Sequence, residues 1–264
     1  MHTKEEKLKA FGDLLDVLDT LREKCPWDRK QTNESLRPNT IEEVYELCDA
    51  LIADDNANIA KELGDVLLHV AFYAKIGEEK GKFDIADVCK KLTDKLIFRH
   101  PHIYGDVQAG SSDEVLQNWE RIKQREKDGN KTVLSGVPSA LPALIKANRI
   151  QEKARNVGFD WENKEDVWEK VKEEIEEVEK EIKTGSLESN HANIEAEFGD
   201  LLFAVINASR LYGADPENAL EHTNRKFIRR FNFIEATLKE RGLSFSDVGL
   251  KEMDEIWNEA KLKV

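Results

Sequence analysis

The chain has 264 residues, 35% of them charged and 40% hydrophobic, and carries a formal net charge of −13. That balance excludes a general nucleic-acid binder, which needs a basic footprint. It also repels an anionic substrate unless metal ions or a local basic patch intervene. Three cysteines, Cys25, Cys48 and Cys89, form no CxxC pair, so neither a disulfide framework nor a zinc site is expected and a reduced, cytoplasmic setting is. The opening residues carry no leader-like apolar run, and no stretch is long enough to span a bilayer, so no membrane partner is expected.

Taken in chain order, apolar residues recurring at three and four predict helices near 5–24, 40–54, 57–80, 84–99, 112–128, 140–155, 163–184, 192–213, 215–241 and 249–262. No run with period two reads as a strand, so the expected fold class is all-α. Cys48 falls on an apolar helix face and is expected in the core. The loop HIYGDVQAGSSD ends at Ser112 or Asp113, good N-caps for a helix that carries Trp119. The stretch EKDGNKTVLSGVPSALP, 126–142, is rich in Gly, Ser and Pro and reads as an interdomain linker.

The same landmarks recur twice, in the same order. PWD (Trp27-Asp28) is answered by GFD (Phe159-Asp160), and IEEVYEL by KEEIEEV. AKELGDVLL is answered by EAEFGDLLF, KLIFRHPH by KFIRRFNF, and QNWERIK by EIWNEAK. Five ordered matches exceed what shared helical patterning produces. The expectation is two tandem helical-bundle domains related by an internal repeat, 1–128 and 141–264, joined by a linker at 129–140.

The repeat carries acids in a fixed pattern. Residues three apart share a helix face. Glu174 and Glu177 therefore point together, as do Glu197 and Asp200; Glu43, Glu46, Glu62 and Asp65 repeat the arrangement. A turn between the two helices of each pair predicts an antiparallel hairpin on which four carboxylates meet. They cannot all stay ionised without a cation. Oxygen-only donors suit a hard divalent ion, Mg²⁺ first, with Mn²⁺ as a substitute. His69 lies one turn beyond Asp65, but Ala204 takes its place in the second copy, so it is read as a packed histidine. Gly64 and Gly199, mid-helix at a cost of about 1 kcal/mol relative to Ala, remove a side chain where a facing helix or ligand would approach. An EExxE run alone is more often a solvated face. Coupling to ExxD on the next helix, twice, favours the metal reading.

Downstream, Lys226, Arg229 and Arg230 form one basic face, with Lys95 and Arg99 opposite Lys226 and Arg230 in the repeat. Metal ions and basic groups together suit a polyphosphate. Trp257 can stack a base. The hairpin also carries an apolar seam, Trp168, Val171, Ile175 and Val178, that calls for a facing bundle.

EEVYE with ELGD, EEIEE with EFGD, and the stretches CPWD, KLIFRHPH, NVGFDW and KFIRRF resemble the MazG-type nucleoside triphosphate pyrophosphohydrolases of the long, two-copy kind. The resemblance runs from about Leu14 to Trp257. It implies an all-α fold, Mg²⁺ dependence, a homodimer, and hydrolysis of NTPs and dNTPs to monophosphate and pyrophosphate. It implies Glu174, Glu177, Glu197 and Asp200 as Mg²⁺ ligands, and Lys170, Lys226, Arg229 and Arg230 on phosphates. Trp257 would contact the nucleoside, and Glu173 would orient or deprotonate the attacking water. Asn39 stands where the second copy has Lys170, so catalysis is expected in the C-terminal copy. The alternatives are a phosphoribosyl-ATP pyrophosphatase-like hydrolase, which resembles one copy only, and a non-catalytic nucleotide sensor or helical scaffold.

Overall fold

The computed structural model describes residues 1–105, 110, 115, 122, 132–184 and 189–263. The expected helix over 112–128, its caps Ser112 and Asp113, and Trp119 lie outside this set apart from residues 115 and 122. The chain divides into two compact units, Met1–Gln108 and Ala109–Val264. The described residues contain helices and turns and no strand.

In the first unit, α1 (Lys4–Lys24) is followed by a 3-10 turn (Asp28–Lys30), then α2 (Asn33–Ile52), α3 (Asn56–Glu79), α4 (Ile85–Arg99) and the short α5 (Pro101–Tyr104). Helix α2 starts at Asn33 rather than near 40, because Thr32 and Ser35 form a reciprocal cap ahead of it. Pro38 then sits inside the helix, at the loss of one helical N–H. A three-residue turn joins α2 to α3, with Asp54 in the left-handed region (φ 52°) and Asp55 capping α3 through the N–H groups of Ala57 and Asn58. Helices α2 and α3 form an antiparallel hairpin, and α1 and α4 pack on α3. The core is Leu18, Leu36, Ala71, Phe72 and Ile76, flanked by Leu15, Leu68 and Tyr73.

In the second unit, a 3-10 turn (Leu134–Gly136) lies within the expected linker and precedes α6 (Ala143–Arg155). Next come a 3-10 turn (Lys164–Asp166) and α7 (Val167–Thr184), which divide the helix expected over 163–184. Then follow α8 (His191–Leu211), α9 (Pro216–Glu240) and α10 (Leu250–Lys263). Helices α7 and α8 form the second hairpin; α6 packs on α8 and α9, and α10 on α9. One core, Val167, Val171, Ala204 and Ala208, locks the hairpin, and another, Ile234, Leu238 and Ile256, locks α9 to α10.

Cys48 corrects its expectation: it is exposed on α2. Its helix face is apolar, but none of the described residues of the first unit covers it. Ile41, Val44 and Tyr45 of the same helix are exposed too. In the seam of the second hairpin, Val171 and Val178 are buried while Trp168 and Ile175 stay exposed.

Candidate metal centre and adjoining cleft

Each hairpin gathers three carboxylates. Oxygens of Glu43, Glu62 and Asp65 lie within 4.8 Å of one another in the first unit, and those of Glu174, Glu197 and Asp200 do so in the second. The i,i+3 spacing of ExxD places its two acids on one turn of the second helix, and the antiparallel hairpin brings a glutamate of the first helix to meet them. Glu46 and Glu177 lie outside these triads. Their charges are nonetheless felt. Glu177 is pushed up by burial and then by the charges of Glu174 and Glu197, with Lys170 opposing. Glu43 is raised by burial, then by Asp65, Glu46 and Glu62. Glu173 is exposed at the rim.

One glutamate in each triad is sunk into the unit, Glu62 at 2% exposure and Glu174 at 4%. Each has a lysine on one oxygen. Lys61 Nζ lies 2.7 Å from Glu62 Oε1, and Lys170 Nζ lies 2.7 Å from Glu174 Oε1 and 3.1 Å from Glu173. These bonds raise both lysines above their ordinary values. The second oxygen, Oε2 of Glu62 and of Glu174, is buried with no hydrogen-bond partner among the described residues. A buried carboxylate oxygen left unpaired costs free energy unless something positive meets it. A hard divalent cation fits both the orphaned oxygens and the all-oxygen donor set. Cβ atoms built on Gly64 and Gly199 meet nothing within 4 Å, so these glycines serve no helix contact inside their units.

Sequence reasoning missed the first lysine. Asn39 suggested that the first copy lacks the counterpart of Lys170, but Lys61, the neighbour of Glu62 on α3, takes that part. It also lies 3.9 Å from Asp65. The buried acid has changed helix as well: it is on α3 in the first copy and on α7 in the second. The signal was present as a lysine directly preceding ELGD. A search for the same residue at the same repeat position could not find it.

His69 is buried, as expected of a packed histidine. Its Nδ1 lies 3.0 Å from Thr40 Oγ1, which is also 2.7 Å from the Tyr73 hydroxyl. Lys226 and Arg229 are exposed on α9, and Arg230 is half-buried with its guanidinium over the Trp257 ring, 5.6 Å from the centroid. One turn ahead of this cluster, Glu221 pairs with Arg225 at 2.8 Å.

Beside the second triad lies a cleft of about 880 Å³ that Lys170, Glu174 and Asp200 help to line. It runs to Gln151 on α6, to Ala204 and Asn207 on α8, and to Phe159 and Trp161 in the loop before α7. Its volume is in the range of ligand sites, roughly 300–1,000 Å³. Lys226, Arg229, Arg230 and Trp257 are not among its lining residues. Arg210 braces the loop: its Nη1 donates to Asp160 Oδ2 at 3.1 Å, and its Nη2 to Asn207 Oδ1 at 2.7 Å. Burial works to raise the Asp160 carboxyl, but the Arg210 hydrogen bond and charge hold it below its ordinary value.

Comparison with known sequences turns on this same pairing of acidic hairpins. The MazG nucleotide pyrophosphohydrolase domain matches twice, over residues 31–104 and 162–233. The chain belongs to the MazG family. Both matched segments contain a complete acidic hairpin, so the internal repeat is a repeat of the MazG domain. A nucleoside triphosphate pyrophosphohydrolase of Escherichia coli is 42% identical over 96% of this chain and 98% of its own length. The nucleoside triphosphate pyrophosphohydrolase/pyrophosphatase MazG of Thermotoga maritima is 44% identical over 95% of both chains. The uncharacterized protein YabN of Bacillus subtilis is 48% identical, and this MazG chain spans 53% of its length.

Proposed function

We propose that the chain is a Mg²⁺-dependent nucleoside triphosphate pyrophosphohydrolase. It converts NTPs and dNTPs to monophosphate and pyrophosphate, with the C-terminal copy doing the catalysis. The observation that carries this reading is the triad Glu174, Glu197 and Asp200, with the orphaned Glu174 Oε2, opening onto a ligand-sized cleft. The two full-length relatives named for this activity support it.

In this reading Glu174, Glu197 and Asp200 hold Mg²⁺, or Mn²⁺ in its place, and Glu177 joins them from the next turn of α7. The first copy's set is Glu43, Glu62 and Asp65, with Glu46 in the place of Glu177. When bound, the metal supplies charge neutralisation on the polyphosphate and lowers the pKa of water. Glu173, exposed at the rim and 3.1 Å from Lys170, orients or deprotonates the attacking water. Lys170 moves its charge from Glu174 to the phosphates, which Lys226, Arg229 and Arg230 also neutralise. No covalent intermediate is required: attack of water on the α-phosphorus expels pyrophosphate, whose charge the basic groups stabilise. No described helix is long and apolar enough to cross a membrane. A cytoplasmic setting matches a substrate pool of free nucleotides.

The deciding experiment is pyrophosphate release from a panel of NTPs and dNTPs with and without Mg²⁺, on wild type beside Glu174→Gln and Glu43→Gln. The expected result is release that needs Mg²⁺, a loss of at least about a hundredfold in Glu174→Gln, and little change in Glu43→Gln. Loss in both would assign turnover to both copies. No release by wild type would sink the hydrolase reading and leave the sensor or scaffold.

A further inference from the structure

The first hairpin holds a buried polar layer that the proposed chemistry does not use. Thr40 lies one turn before Glu43 on α2, and His69 and Tyr73 lie one and two turns beyond Asp65 on α3. Three groups meet at Thr40 Oγ1: the Leu36 carbonyl at 3.0 Å, His69 Nδ1 at 3.0 Å and the Tyr73 hydroxyl at 2.7 Å. A threonine hydroxyl has one proton to give and two lone pairs. The carbonyl can only accept, so it takes that proton. Tyr73 O–H and His69 Nδ1–H are then the donors to Thr40. Burial holds the His69 pKa below its ordinary value, against the charge of Asp65, so the ring is neutral and carries a single N–H. With that proton on Nδ1, Nε2 is a bare lone pair. It has no hydrogen-bond partner among the described residues.

The second hairpin builds the same layer without polar side chains. Counting from the paired acids, Leu36, Thr40, His69 and Tyr73 correspond to Val167, Val171, Ala204 and Ala208. Those four form the core that locks α7 to α8. Closing such a hairpin therefore does not require a histidine at this level. Burying threonine, histidine and tyrosine in place of valine and alanine also costs free energy unless every polar group is met. The lone pair left over on His69 calls for a donor. The acids one turn away carry a second open valence: Glu62 is 2% exposed, and its Oε2 is unpartnered among the described residues.

Resting on the metal reading above, we propose that His69 is a positioning residue of the first unit, whose Nε2 accepts a hydrogen bond from a water on the cation held by Glu43, Glu62 and Asp65. His69 is not part of the group whose ligand atoms lie within 4.8 Å of one another, so it addresses the ion through that water and not as a ligand. Thr40 and Tyr73 fix its tautomer, as hydrogen-bonded outer groups orient those around a metal. The second unit has Ala204 in this place and no such acceptor there. The first unit thus holds its ion more tightly than its carboxylates alone would.

The test uses the full-length chain with the second triad silenced by Glu197→Gln and Asp200→Asn. Mn²⁺ is the probe, and the free ion is read by electron paramagnetic resonance, so affinity is scored without substrate or turnover. Glu43→Gln in the same chain marks the background. His69→Phe keeps a ring and removes the lone pair; it is expected to weaken Mn²⁺ binding at least about tenfold. His69→Gln, which can present Oε1 as an acceptor, is expected to recover most of that loss. Thr40→Val copies the second unit and leaves the imidazole in place but frees its tautomer; affinity is expected to fall while circular dichroism stays native. Nitrogen-15 spectra of the histidine side chains, with His69 assigned by its loss in His69→Gln, are expected to show Nε2 unprotonated in the metal-free chain and shifted when Mg²⁺ is added. A protonated Nε2 beside a bare Nδ1 overturns the proposal, as does wild-type Mn²⁺ affinity in both His69→Phe and Thr40→Val. No Mn²⁺ binding even with both triads intact would sink the metal reading and this proposal with it, whereas binding that ignores His69 sinks this proposal alone.

Discussion

Lys170 and Glu174 are unequal partners: the lysine is 38% exposed and the glutamate side chain 6%. Removing the lysine strands a buried carboxylate, which is the costly half of a broken pair. Lys170→Met is expected to lower stability in EDTA by about 1–2 kcal/mol, below the usual figure for a buried pair because the lysine is half open to water. Saturating Mg²⁺ is expected to restore most of the loss, since a divalent ion supplies the missing positive charge. Melting curves in EDTA and in Mg²⁺ check this. Identical EDTA melts for wild type and variant would mean that the lysine does not stabilise the acid. The acids themselves were legible in the sequence because type and spacing suffice to put them on one face. The choice of which acid is buried was not legible. It depends on tertiary packing, on which the repeat alignment carries no information: the buried acid is Glu62 of α3 in one copy and Glu174 of α7 in the other.

At the scale of the helix, the two mid-helix glycines are the features most at odds with local propensity. Nothing within 4 Å would meet a Cβ at Gly199, so Gly199→Ala should gain about 1 kcal/mol of helix stability in the metal-free protein. That is roughly 2–4 °C in melting temperature for a unit of this size. Pyrophosphate release is expected to fall in the same variant, because the open space lies on the turn that carries Glu197 and Asp200. A variant that is both more stable and fully active would show that the space is not used by substrate or metal. Helix existence was readable from periodicity, but some edges were not. The Thr32–Ser35 cap outweighed Pro38, which reads as a breaker, and drew α2 back to Asn33. The 3-10 turn at Lys164–Asp166 looked like a first turn of α7 because its charged residues run into Val167 with no Gly or Pro between them.

Across the molecule, each hairpin leaves a broad apolar face open. Leu202, Phe198 and Val205 of α8 are 58%, 46% and 44% exposed, and Leu63, Leu67 and Val70 of α3 stand likewise exposed in the other unit. Faces of this kind on a charged chain mark association surfaces. We propose that a second copy of the chain covers them, giving the homodimer expected from the family resemblance. Sedimentation should report a dimer for wild type, and Leu202→Glu should shift it toward monomer. A wild-type monomer at micromolar concentration would overturn the proposal. The exposed seam explains why Cys48 was misplaced: periodicity shows which face is apolar, and the same pattern serves a core and an intermolecular contact.

The resident lysines also bear on how the protein matures. Each buried acid is already half neutralised by a side chain of its own hairpin, from α3 in one copy and α7 in the other. The hairpins can therefore close before any ion arrives, unlike small metal-organised domains that stay unfolded without their metal. In the metal-dependent reading proposed above, metal loading would be an exchange carried out on a finished scaffold, and a cell short of divalent ions would accumulate folded, idle protein.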